Sequence, residues 1–231
     1  MNSQPRNTAA ETLAQWDKQY LWHPFTPMKQ WIEGDPLIFD RGEGFELVDT
    51  AGRRYIDGFS SLWCNLHGHQ APQIDAAIRE QLGHVAHTTL LGFASPPSIE
   101  LARRLVEITP AGLEKVFYSD SGATAVEIAL KMAYQYWRNV GRPRRRFLAV
   151  RESYHGDTIG SVSLGGIDTF HSIFRPLLFE TTFVDSPNPF NHPAGREAGA
   201  VVLEQVEQAM AAAPGEYAAV VVEPLVQGAA G

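Results

Sequence analysis

The chain has 231 residues, 44% of them hydrophobic and 19% charged, with a formal net charge of −7. That is enough apolar material for one α/β domain with appendages or for two small domains. The single basic cluster, Arg142 to Arg146, lies in a Pro-containing loop, which argues against nucleic acid as a partner. Cys64 is the one cysteine, so no internal disulfide is possible and nothing argues for secretion. The polar start MNSQPRNTAAETLAQWDKQ has no signal-type apolar run, and no stretch approaches the about 20 apolar residues of a membrane span. The expectation is a cytoplasmic chain with no membrane partner.

Residues 1 to about 10 read as disordered, and Thr12 to Tyr20 as a short helix. Leu21 to Met28 contains Pro24 and Pro27, so it reads as an unusually aromatic loop. Leu37 to Asp40, Phe45 to Asp49 and Arg53 to Ile56 read as three short antiparallel strands. Turn signals at Arg41-Gly42-Glu43-Gly44 and Thr50-Ala51-Gly52 separate them. Gly58 to His69 has no clean period and reads as a buried connection. Pro72 to Leu82 and Pro97 to Ile108 read as helices with Pro in the first turn.

From Lys115 the pattern becomes strand, helix, strand, helix. Lys115 to Tyr118 is rich in β-formers and reads as a buried strand. Ala125, Ile128, Ala129, Met132 and Tyr136 then recur at helical spacing. Phe147 to Val150 reads as a strand, Thr158 to Leu164 as a short helix, and Leu177 to Val184 as containing one or two short strands around Glu180 and Thr181. Ala198 to Ala212 reads as a helix and Tyr217 to Val222 as a fully apolar strand of the parallel-sheet kind. A doubly wound α/β domain preceded by a small mixed segment follows. The Gly/Ala stretch Gln227 to Gly231, just after a central strand, gives the expectation that the chain is the N-terminal portion of a longer protein.

Chemistry-bearing residues fall at strand ends and in loops. Ser121 can cap the helix after the turn Ser119 to Thr124, and Gly122 allows close approach to its backbone. Helix-start N–H groups suit a phosphate, although an ordinary capped helix has the same pattern. Tyr154, His155, Gly156 and Asp157 follow a strand and could orient a flat heterocycle, or simply form a surface turn. Glu223 is either a site carboxylate or an ion-paired one. Ser60-Ser61-Leu62-Trp63 reads first as core packing. His67-Gly68-His69 does not carry a metal site. Gly165-Gly166 lacks a dinucleotide context. Cys64 reads as buried rather than nucleophilic.

Taken together, GFELVDTAGRRYIDGFSS, NLHGHQAPQIDAAI, FYSDSGATAVEIALKMAYQYW, ESYHGDT and VVVEPLVQGAAG resemble, in order, the class III pyridoxal-phosphate-dependent aminotransferases of fold type I. The resemblance spans nearly all of residues 20 to 231. It implies a partial large domain over residues 67–231, with a mostly parallel sheet and helices on both faces, after a small α+β segment over residues 1–66. It implies pyridoxal 5'-phosphate as cofactor. Ser121, Gly122 and Ala123 match the phosphate turn, Tyr154 the aromatic on the cofactor ring, and Asp157 and Glu223 active-site carboxylates. Phe25, Trp63 and Tyr154 match the substrate side, with Phe25 standing where well-known members carry Tyr.

LWHPFTPMKQW, Ser60-Ser61-x-Trp63 and YHGDTIGSVSLGG separate the chain from ornithine- and ω-amino-acid-type members. They imply the biotin-synthesis branch, with S-adenosylmethionine and 8-amino-7-oxononanoate as small-molecule partners and 7,8-diaminononanoate as product. A homodimer is implied as well. The family's Schiff-base lysine is expected beyond Gly231, since Lys18, Lys29, Lys115 and Lys131 lie at no suitable strand end, so this chain alone is expected to be inactive. The alternatives are another class III aminotransferase acting on an ω-amino acid or diamine, and a non-catalytic remnant that binds a phosphate ligand.

Overall fold

The computed structural model describes residues 5–230, apart from the side chains of residues 5–9 and of Phe170. It divides into two compact units, with the division between Leu101 and Ala102. The first unit opens with helix α1 (Pro5–Tyr20), so residues 5–10, expected to be disordered, belong to a helix, and residues 1–4 lie outside the described residues. After the aromatic loop comes α2 (Met28–Glu33). Strands β1 (Phe39–Glu43), β2 (Glu46–Asp49) and β3 (Arg54–Ile56) then form the expected antiparallel meander. The first turn is tighter than its Gly-rich sequence suggested. Arg41, Gly42 and Glu43 pair with Val48, Leu47 and Glu46, and the reversal falls on Gly44, which has a φ of 59°. Val48 and Asp49 are buried, and Asp49 ties the next turn by accepting from the N–H groups of Ala51 and Arg53.

A single turn, α3 (Ser60–Trp63), follows, and then α4 (Pro72–His84) and α5 (Pro96–Ile108), whose residues run across the division. The connection from Gly58 to His69 was expected to be buried. Instead Phe59, Leu62, Trp63, Leu66 and Cys64 are exposed. The irregular hydrophobic pattern signalled an aromatic loop at the surface, not a core segment.

The second unit is built on a three-stranded parallel sheet in the order β5-β4-β6, with β4 (Arg146–Val150) central. β5 (Thr182–Val184) pairs with it through Leu148 and Thr182, and β6 (Tyr217–Val221) through Leu148 and Val220. The alternation of β4 sorts the core into two layers. Leu148 and Val150 face Val202, Val206 and Ala209 of α9 (Ala198–Ala212). Phe147 and Ala149 face Val126, Leu130, Ala133 and Trp137 of α6 (Gly122–Asn139), together with Leu164 of α7 (Ile159–Leu164). Helices therefore cover both faces, which is the doubly wound arrangement and a partial fold-type-I domain. A four-residue helix, α8 (Asp168–His171), and a 3-10 turn over Ser172–Leu177 lead into β5, so only the end of the expected Leu177–Val184 stretch is a strand.

One expectation for this unit is corrected. Lys115 to Tyr118 is not a strand. No strand among the described residues offers it a ladder, and Phe117 is exposed. The helical spacing read after Gly122 is that of α6, whose face against the sheet is Val126, Leu130, Ala133 and Trp137, while Met132 and Tyr136 are exposed. The helix carries apolar residues on both stripes, so its period alone cannot choose between them. Trp137 decides it, because its indole N–H donates to the Ala218 carbonyl of β6 at 2.8 Å.

Candidate active site

The C-terminal ends of β4 and β6 and the N-terminal end of α6 meet in the second unit. α6 starts with a reciprocal cap. Ser121 Oγ accepts from the Thr124 N–H at 3.2 Å, and Thr124 Oγ1 accepts from the Ser121 N–H at 3.1 Å. The Ala125 N–H already reaches the Ser121 carbonyl. Among the described residues this leaves the N–H groups of Gly122 and Ala123 without a partner, at the positive end of an 18-residue helix. The Cβ side of Gly122 is open, since a Cβ added there meets nothing within 4 Å.

The loop after β4 is laid against this turn. Ser153 is buried and donates to the Val150 carbonyl at 2.6 Å. Gly156 has a φ of 115°, and a Cβ there would lie 2.4 Å from the Ala123 Cβ. Only glycine lets the backbone approach so closely in that conformation. Ser161 Oγ donates to the Ala123 carbonyl at 3.1 Å. Tyr154 is bound at both ends. Its N–H donates to Glu223 Oε2 at 3.0 Å, and its hydroxyl to Asp157 Oδ2 at 2.6 Å. Partial burial, then the Asp157 carboxylate, push the Tyr154 phenol up to about 12, so it stays protonated and available as a donor. Its ring is stacked on His171 with centroids 6.4 Å apart. Glu223 uses its other oxygen to accept from the Gly228 N–H at 2.9 Å, which ties the segment after β6 to the loop after β4.

The predicted residues Ser121, Gly122, Ala123, Tyr154, Asp157 and Glu223 are thus brought together through these contacts. One further residue was not found from sequence. Glu127, in the second turn of α6, accepts from the Thr158 hydroxyl at 2.5 Å and the Gly160 N–H at 2.7 Å. It is the only acidic residue of that helix, a signal that was available. His155 Nε2 is buried without a partner. Burial pushes the His155 pKa down, with Glu223 pulling it up and His171 adding to the depression.

Phe25 and Trp63 lie in the first unit, and both are exposed, at 79% and 67%. Both also have left-handed backbones, with φ of 49° and 68°. All four residues of α3 share this conformation, Ser60, Ser61 and Leu62 having φ of 53°, 49° and 63°. A bulky L-residue there costs about 1–2 kcal/mol. Bonds from carboxylates hold both segments. Asp57 accepts from the Ser61 N–H at 2.7 Å and the Ser61 hydroxyl at 2.8 Å, and its Oδ2 lies 2.9 Å from His69 Nε2. Asp17 accepts from the Trp31 indole N–H at 2.6 Å and lies 2.9 Å from His23 Nε2, with the His23 and Trp31 rings 4.4 Å apart. The reading of Ser60 to Trp63 as core packing is therefore overturned, and so is that of Cys64 as a buried thiol.

The class-III aminotransferase family model matches residues 29–231, and the chain belongs to that family, whose members depend on pyridoxal 5'-phosphate. Among relatives, it is 47% identical over 226 residues to the adenosylmethionine-8-amino-7-oxononanoate aminotransferase of Geobacter sulfurreducens, covering 96% of this chain and 50% of that protein. It is 55% identical over 221 residues to the enzyme of the same name from Nitratidesulfovibrio vulgaris, covering 93% and 41%. Among solved structures, the enzyme of that name from Methanocaldococcus jannaschii matches with a TM-score of 0.87 and 44% identity, covering 96% of this chain and 48% of its own. An (S)-enantioselective ω-transaminase from Thermomicrobium roseum matches with a TM-score of 0.88 and 35% identity, covering 96% and 50%. The chain spans about half the length of the relatives it matches. No helix among the described residues is long and apolar enough to cross a membrane.

Proposed function

We propose that the full-length protein transfers an amino group from S-adenosylmethionine to 8-amino-7-oxononanoate, giving 7,8-diaminononanoate for biotin synthesis. The observation that carries this reading is the pair of N–H groups at Gly122 and Ala123 without a partner among the described residues, with Tyr154 held beside them by the loop packed on Ala123. The donor set fits a phosphorylated aromatic cofactor: two unpaired N–H groups for the phosphate, an aromatic ring, and two carboxylates. The cofactor supplies a temporary resting place for the amino group between donor and acceptor. In this reading Gly122 and Ala123 hold the phosphate, with Ser121 shaping the turn. Tyr154 faces the ring, and Glu223 and Asp157 fix Tyr154 from its two ends. Phe25 and Trp63 supply an apolar wall for the aliphatic chain of the keto substrate. The reading includes a boundary at residues 66/67, a catalytic lysine outside these residues, and a cytoplasmic homodimer.

The likeness to the Thermomicrobium roseum ω-transaminase supports a second reading, a class III aminotransferase that acts on an ω-amino acid or diamine. The deciding experiment gives the full-length protein 8-amino-7-oxononanoate with either donor and follows 7,8-diaminononanoate by mass spectrometry. Product with S-adenosylmethionine supports the first reading. Turnover with ω-amino acids alone replaces it with the second.

A further inference from the structure

Among the described residues, the turn Ser60–Trp63 is the longest run of non-glycine residues with positive φ. The non-glycine residues with positive φ among those described are Phe25, Ser60, Ser61, Leu62, Trp63, Gln70 and Glu152, and four of these seven are consecutive here. A run of left-handed non-glycine residues persists only where the surroundings over-determine it. Packing of the turn's own side chains does not do so, since no residue of the turn is buried. The determinant is polar. The Asp57 side chain is 4% exposed, and its carboxylate accepts both polar hydrogens of Ser61. The same carboxylate contacts His69, whose N–H and carbonyl are bridged to Gly44 in the meander. Gly42 leaves room for the His69 ring, because a Cβ there would lie 2.3 Å from it. The Trp63 N–H reaches the Phe59 carbonyl at 2.8 Å and the Cys64 N–H the Ser60 carbonyl at 3.0 Å, closing the turn in its left-handed form. The meander thus carries His69, His69 and Ser61 meet on Asp57, and Ser61 fixes the turn that ends on the exposed Trp63 ring.

We propose that Asp57 is a positioning residue that locks the strained turn and so sets where the Trp63 ring meets the aliphatic part of a substrate. The inference rests on the reading of Trp63 as part of the substrate wall. A right-handed or extended path through the same four residues would project the indole in another direction, because the side-chain vector follows φ and ψ. Strain released at Ser60 to Trp63 is therefore strain converted into a misplaced ring.

The test uses the full-length protein with three variants, Asp57→Ala, Asp57→Asn and Ser61→Gly. Two readouts are taken: the rate of Cys64 alkylation, followed by mass spectrometry of its peptide, and steady-state kinetics with 8-amino-7-oxononanoate varied. Asp57→Ala is expected to change Cys64 reactivity by about fivefold or more as the turn relaxes, since thiol reaction rates follow exposure and local environment. It is expected to raise KM for the keto substrate by about tenfold with kcat held within about twofold, the pattern of lost binding common to ground and transition states. Asp57→Asn keeps the shape but loses the charge, and should fall between. Ser61→Gly removes the hydroxyl bond and the left-handed penalty together. Because glycine adopts the left-handed form at no cost and its N–H still reaches Asp57, it should retain the melting temperature, the Cys64 reactivity and KM, while Asp57→Asn keeps the test decisive if Asp57→Ala does not fold. Unchanged Cys64 reactivity in folded Asp57→Ala and Asp57→Asn would show that Asp57 does not hold the turn. Altered reactivity with unchanged KM would show that the turn does not position a substrate contact. Wild-type protein that makes no 7,8-diaminononanoate would sink the functional reading instead. The alkylation rates then still decide the lock, and binding of the keto acid measured by calorimetry decides the contact.

Discussion

The turn at the head of α6 and the turn at Ser60–Trp63 present chemistry in opposite ways. At Gly122 and Ala123 the presenting groups are backbone N–H donors, and a helix aims them without strain once Ser121 and Thr124 have capped it. At Trp63 the presenting group is a large apolar ring facing solvent, and the chain takes an unfavourable conformation to place it. The first needs a sheet edge and a close-packed loop. The second needs a buried carboxylate. Phe25 repeats the second solution, with Asp17 gripping His23 and Trp31 on either side of its loop. A phosphate-sized anion is met by backbone geometry that folding supplies anyway. An apolar wall at a surface must be held up by polar bonds behind it.

The contrast breaks most visibly at two glycines beside the α6 start. Gly156→Val puts a β-branched residue at a φ of 115° and drives its Cβ into Ala123. The left-handed penalty and overpacking together should cost about 3–5 kcal/mol, read by urea unfolding. A loss under about 1 kcal/mol would mean the loop is not bound to α6 as tightly as the contact implies. Gly122→Val meets open space, so stability should stay within about 1 kcal/mol. Its branched side chain enters the room a phosphate would use, and cofactor affinity should fall about tenfold or more in absorbance titrations. A Gly122→Val protein with native affinity would return the turn to an ordinary capped helix.

The same contrast explains what was legible in the sequence. Local signals carried the second unit's site: Ser121 and Gly122 mark a helix start, and Tyr154 to Asp157 and Glu223 follow apolar strands. The strands β4 and β6 were recognisable because their residues are apolar on both faces. Lys115 to Tyr118 has the same composition, but a strand is defined by a partner, which composition does not contain. Which α6 stripe faces the sheet was not legible, because the helix is apolar on two sides and only the sheet chooses between them. Glu127 and Asp57 were missed for another reason. Each acts through donors, Thr158 and Gly160 for one and Ser61 and His69 for the other, that only the folded chain brings to it. No spacing rule predicts four left-handed residues in Ser-Ser-Leu-Trp.

Tyr154 sharpens the comparison, since it presents a ring without backbone strain. Tyr154→Ala should lower cofactor affinity by about 1–3 kcal/mol through lost burial and aromatic contact. Tyr154→Phe should keep most of that and lose only the bond to Asp157. Equal damage from both would show that the hydroxyl, and not the ring face, is the working part.

The smallest expected effect is a difference in how the two regions respond to acid. Burial depresses the His155 pKa below its ordinary 6.5, with Glu223 opposing and His171 adding to the shift. Between the folded value and about 6.5 the unfolded chain holds a proton that the folded chain does not, so stability rises with pH through that window and levels off above it. Asp57 is depressed as well, first by the Ser61 N–H and against the cost of burial. Its contribution is present above the unfolded value of 3.8 and is lost as pH falls through the folded one. The Trp63 turn should therefore hold its shape across the mildly acidic range in which the Tyr154 loop is already weakened. Urea unfolding of the wild type and of His155→Gln between about pH 5 and 8 measures this, and the substitution should flatten the slope. Glu223→Gln removes the group that opposes the depression and should extend the window to lower pH. If His155→Gln leaves the slope untouched, the buried Nε2 is protonated at no cost and the loop after β4 is more open to water than its packing on Ala123 indicates.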